Sequence, residues 1–223
     1  MTAVYLESGH KRVFACAVDW PGWCRAGRDE HQALEALAAY AARFARVAKQ
    51  AGLKFPSSSA AADFDVVERV PGSASTDFGV PGTVPSLDLE PLNKPEAERL
   101  ARLVEACWTV FDRVAARAPA ELRKGPRGGG RDRDKIVDHV VGAETMAYAP
   151  KLGLRLRQPA FDDAAAVTAA RAAIADVLRA GVHGRRAKDE RGWPTRYAAR
   201  RIAWHAIDHA WEIEDRSEPI SAR

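Results

Sequence analysis

The sequence predicts an α+β module followed by an all-α, up-and-down four-helix bundle, and three observations carry that expectation. Short runs rich in Val, Phe, Tyr and Cys alternate with Gly and Pro ahead of residue 71, as brief strands and turns do. A stretch crowded with Pro, Gly and Ser follows and holds no sustained period. Beyond it, apolar residues recur at helical spacing through four segments joined mostly by short connections. The expected division is a β-β-β-α-β module at 1–72, a linker at 73–93 and a helical bundle at 94–223.

TAVYLES (2–8) and RVFACAVDW (12–20) are strand-length and meet at Gly9-His10-Lys11, so they read as a hairpin. Pro21-Gly22 turns the chain into WCRAG (23–27), a short third strand. Asp29 stands where an N-cap belongs and Gln32 follows at capping-box spacing, opening one helix over 30–50. Its Leu34, Leu37, Tyr40, Ala41, Phe44 and Val47 should face the sheet. Gly52 closes it, and FDVVERV (64–70) is the fourth strand. In the second half Pro95 opens a helix over 96–118, and 135–152, 162–181 and 194–216 supply three more, the last with Pro194 in its first turn.

Composition narrows the function classes. Of 223 residues 47% are apolar and 29% charged, an ordinary globular profile. The balance of 34 Lys and Arg against 30 Asp and Glu leaves +4, which admits anionic partners without demanding nucleic acid. GPRGGGRD has the glycines of a phosphate-binding loop but lacks the GK[ST] ending and follows no strand, so it reads as a solvated loop. The six basic residues between Arg123 and Lys135 carry no interleaved aromatics for base stacking. Cys16, Cys24 and Cys107 form no CxxC pair and are odd in number, which fits a reducing cytoplasm. Cys107 lies in an apolar helical stretch and reads as a small core residue. No secretion signal opens the chain and no run approaches the roughly 20 apolar residues that span a bilayer, so a cytoplasmic protein without a membrane partner is expected. Trp20 and Trp23 flank the Pro-Gly turn and should pack locally or at an interface, and a homodimer is admitted.

The chemistry concentrates in RIAWHAIDHAWEIED (201–215). Residues four apart on a helix share a face, so His205 and His209 can aim two imidazoles at one point. They share a stripe with Ala198, Ile202, Ala206 and Ile213, which directs both rings inward. An HxxxH pair alone is also what two satisfied core histidines look like. A third ligand is available in His139, the one histidine of the second helix. Three imidazoles would leave coordination positions open for water or substrate, as a catalytic site requires, and zinc, nickel, manganese or iron would each suit such donors. Glu144, Asp208 and Glu212 are the candidates to orient an imidazole or activate a bound water, and so the candidate catalytic residues. Arg196 and Arg200, with Arg185 and Arg186, are the candidates to grip substrate or cofactor carboxylates near the mouth. His10, His31 and His183 are expected to be without a role.

From Lys94 onward the chain resembles the DinB-like family, four-helix bundles in which a histidine of the second helix and an HxxxH pair of the fourth bind a divalent metal; the matching positions are His139, His205 and His209. The resemblance implies a metal site and, by its characterised members, transfer of a low-molecular-weight thiol such as mycothiol or bacillithiol to a small molecule; metal-assisted hydrolysis is the other chemistry such a site admits. The segment RVFACAVDWPGWCRAGRDEHQALEAL (12–37), with Pro21-Gly22, Gly27 and Ala33-Leu34, resembles the HicB-like domain of antitoxins, which covers a toxin and precedes a DNA-binding module. Here the predicted bundle stands in that module's place. Two functions are thus expected to compete: a metal-dependent thiol transferase or hydrolase, and a non-enzymatic module binding protein or nucleic acid with the bundle as scaffold.

Overall fold

The first two strands send apolar side chains to both faces, so each face of the sheet must be covered. In β1 (Thr2–Ser8) and β2 (Val13–Ala17), Val4, Leu6, Ala15 and Ala17 enter one apolar layer, while Tyr5, Phe14 and Cys16 enter another. The structure is a computed structural model describing residues 1–56, 60–125, 129–181 and 192–217. It adds β3 (Cys24–Gly27) and β4 (Phe64–Pro71) to give the order β3-β2-β1-β4. The β1-β2 and β2-β3 pairs are antiparallel, whereas β4 runs parallel to β1 with a register break between Val4 and Tyr5. The sheet is mixed, and with the mostly helical region after it the chain is α+β.

Two helices occupy 30–50 where the period predicts one. Asp29 caps α1 (Glu30–Ala39) by accepting from the Gln32 N–H, as expected. At Tyr40 the backbone turns to φ −92°, ψ 0°, and α2 (Ala41–Gln50) starts in a new direction. Neither Gly nor Pro causes the break. Ala33 and Leu37 follow the sheet, whereas Phe44 must stack on Trp23, with 6.0 Å between ring centroids and 16° between planes. Packing overrides propensity here.

The stretch 73–93 contains α3 (Ala74–Phe78) and a 3₁₀ turn over Ser86–Leu89. It runs beside β1 and β4. The buried Glu7 carboxylate accepts from the Thr76 hydroxyl and from the N–H groups of Gly82 and Thr83, and Glu68 accepts from the Ser86 N–H.

The second half contributes α4 (Lys94–Arg117), α5 (Arg133–Gly142), α6 (Ala164–Ala180) and α7 (Thr195–Ser217). Asn93 and Glu96 cap α4 reciprocally, each side chain accepting from the other's backbone N–H. The α5 helix runs on as a π-helical turn over Ala143–Tyr148 and a 3₁₀ turn over Ala149–Leu152. Along α7 most residues from Tyr197 to Ile213 are buried, so this helix is central, packing against α4 and α5. It also touches the sheet: Gly22, at φ +97°, lets the Pro-Gly turn approach the Ala203 backbone, which an added Cβ would meet at 3.3 Å. No helix among the described residues is long and apolar enough to cross a membrane.

Candidate metal centre

Helix α7 presents His205 and His209 one turn apart, and α5 lays His139 across them. The Nε2 atoms of His139 and His205 are 3.2 Å apart. Ring centroids are separated by 5.1 Å for His139 and His205, 5.1 Å for His139 and His209, and 4.7 Å for His205 and His209. One ring nitrogen from each residue falls within 4.8 Å of the other two. A tetrahedral ion bound at about 2.0–2.1 Å holds its nitrogens about 3.4 Å apart, so the closest pair already has that spacing.

The His209 tautomer follows from its neighbour. His209 Nδ1 lies 2.8 Å from Glu212 Oε2, which commits the Nδ1 proton to the carboxylate and leaves Nε2 as a lone pair for the centre. That hydrogen bond is the main influence holding the Glu212 carboxyl below its usual range. Burial, followed by the neighbouring His209 and His139, pushes His205 down to about 2, and burial lowers His139 as well. His205 is therefore neutral at any ordinary pH. Three converging nitrogens of this kind can share a proton between one pair, which leaves the third without a partner; one cation satisfies all three. The donor set thus fits a divalent metal.

Comparison with protein-family models, curated proteins and solved structures finds no match to this chain.

Of the three carboxylates singled out in the sequence, only Glu212 reaches an imidazole. Asp208 pairs instead with Arg25 of β3 at 2.7 Å, which ties α7 to the sheet. Glu144 is buried under the π-helical turn and bonded to Arg171 Nε at 2.9 Å, and Arg171 also holds both oxygens of Asp112 at 2.9 Å. This carboxylate joins α4, α6 and the end of α5, rather than serving the imidazoles.

The arginines expected at the mouth are likewise engaged elsewhere. Arg200 lies five residues before His205, about 140° around the helix, and points away from the centre. Its Nη2 is 2.7 Å from Asp88, and its Nη1 donates to the Ala17 carbonyl. Arg196 pairs with Glu96 at 2.9 Å and donates to the Pro91 carbonyl. Arg185, Arg186 and His183 lie outside the described residues.

Two groups beside the centre escaped the sequence reading. Tyr148 stands perpendicular to His205 with centroids 5.5 Å apart, delivered there by the π-helical turn. Arg201 lies one turn before His205 on the same stripe, and its guanidinium sits over the Trp204 and Tyr148 rings at 4.8 and 5.7 Å. The i−4 spacing of Arg201 from His205 was visible in the sequence, but the position of Tyr148 was not. The cysteines offer no rival nucleophile: all three are buried free thiols, and burial pushes Cys24 and Cys107 up, away from the thiolate.

Proposed function

We propose that this protein binds one divalent metal ion through the Nε2 atoms of His139, His205 and His209, and that its second half is a DinB-like four-helix bundle carrying a metal-dependent thiol transferase or hydrolase. The observation that supports this most is the approach of His139 to His205, 3.2 Å between nitrogens from separate helices. An ion held there would supply Lewis acidity, able to ionise a coordinated small thiol or water near neutral pH. The protein's own residues would do the rest. Glu212 fixes the His209 tautomer, burial keeps His205 unprotonated, and Tyr148 walls one side of the imidazole cluster. Of the metals expected, zinc, nickel and iron suit imidazole donors, whereas manganese favours oxygen ligands. The first 72 residues would form a HicB-like module seated on the bundle, and a cytoplasmic location is in keeping with the three free cysteines.

Elemental analysis of purified wild type and of a His205→Ala, His209→Ala double variant tests the reading. About one equivalent of metal in wild type and almost none in the variant is expected. Negligible metal in both would sink the proposal in favour of a scaffold whose sheet binds a macromolecule. Turnover of an electrophile that requires an added small thiol, and is lost in the variant, would identify the reaction as transfer.

A further inference from the structure

Among the described residues three arginines are buried, Arg171, Arg200 and Arg201. Two are answered by acids: Arg171 by Glu144 and Asp112, Arg200 by Asp88. Arg201 is not. It is only 8% exposed, its Nη1 is buried without a hydrogen-bond partner, and no carboxylate among the described residues pairs with it. Buried charges in folded proteins are normally matched, since desolvation strongly disfavours a bare ion. The ring faces of Trp204 and Tyr148 compensate Arg201 in part, but they leave its in-plane N–H donor unmet.

Its surroundings describe what is missing. Tyr148, Trp193 and Tyr197 form a continuous aromatic wall, with centroids 5.3 Å apart for the first pair and 5.1 Å for the second. The Tyr197 hydroxyl is already committed to the Gly82 carbonyl, so this wall offers chiefly ring surface. A buried cation with a free donor beside apolar ring surface selects a small anion with a carbon body.

We infer that Arg201 anchors a binding site for a small organic carboxylate, held against the Tyr148, Trp193 and Tyr197 rings one helical turn from His205. This deepens the proposed function and rests on it for the role of the bound acid, because the carboxylate would place the rest of the molecule at His205 and its neighbours.

Benzoate and its neutral counterpart benzamide share shape and differ in charge, so titrating both into the protein isolates the guanidinium. Tryptophan fluorescence and calorimetry would follow binding to wild type, Arg201→Gln and Arg201→Lys, each metal-free and zinc-loaded. Wild type should prefer benzoate by about tenfold, as expected for a charge-assisted hydrogen bond, in both metal states. Arg201→Gln should lose the preference and Arg201→Lys keep part of it, with unchanged far-ultraviolet circular dichroism as the folding control. Should the Gln variant not fold, the benzoate preference of wild type against that of the Lys variant decides. Equal binding of the two probes by wild type, or an undiminished benzoate preference in a folded Gln variant, overturns the inference. Stoichiometric zinc without benzoate preference sinks this site alone, whereas benzoate preference without zinc uptake sinks the metal proposal alone.

Discussion

Trp204 meets Phe14 of β2 edge-on, with ring centroids 6.3 Å apart and planes at 89°, so the residue next to metal-ligand candidate His205 is anchored in the sheet. One side of α7 faces the layer formed by Tyr5, Phe14, Cys16, Cys24 and Val70, while the adjacent residue turns into the imidazole cluster. The N-terminal module therefore sets the rotation of α7 about its own axis.

This relationship predicts that Phe14→Leu will act at a distance. Loss of the edge contact should cost about 1 kcal/mol of stability in a denaturant titration. It should also weaken metal binding several-fold, read by competition with a chromophoric chelator. Unaltered metal affinity in a destabilised variant would show that the sheet supports α7 without aligning it.

The carboxylates should separate by role. Glu212→Gln removes the group that orients His209 and is expected to weaken metal binding by about 10–100-fold with little change in stability. Glu144→Gln should do the reverse. It leaves Arg171 with Asp112 as its remaining carboxylate partner, so folding should weaken by about 1–3 kcal/mol while metal affinity holds. Asp208→Asn loosens the half-exposed bond to Arg25 and should change stability by about 0–1 kcal/mol. Chelator competition and denaturation curves on the three variants check the set.

The metal-free protein should lose stability in acid through His205. Its folded pKa, about 2, lies below the unfolded value of about 6.5, so between these limits the unfolded chain holds the extra proton. Stability is then full above pH 6.5 and declines as pH falls, by up to about 1.4 kcal/mol per unit. His139, shifted in the same direction, adds to the slope. Denaturation midpoints of chelator-treated protein from pH 7.5 to 4.5 should show the decline, and His205→Gln should flatten it. An equal slope in that variant would assign the acid sensitivity to other groups.

Local chemistry was enough to read much of this molecule. Strand periodicity, the Asp29 cap and the Pro-Gly turn act between residues close in the chain, so the α+β beginning and the starts of α1 and α4 could be read directly. The HxxxH spacing likewise placed His205 and His209 on one face, because helical geometry alone dictates it. The break at Tyr40 was hidden, since it answers to Trp23 and Trp211 from other elements. The stretch 73–93 carries no period, and its order comes from partners far away in sequence, such as Glu7 and Arg200.

Charge pairing was decided only in three dimensions. Nothing in the spacing of Arg200 and Arg201 says that one meets Asp88 and the other meets no acid among the described residues; a rotation of about 100° about α7 makes that difference. The same holds for Glu144 and Glu212, similar acids near histidines in sequence, of which one is taken by Arg171 and the other by His209. Sequence by itself determined which residues could do chemistry. Tertiary packing decided which of them were left free to do it, because an ion pair is settled by the nearest opposite charge in space and not along the chain.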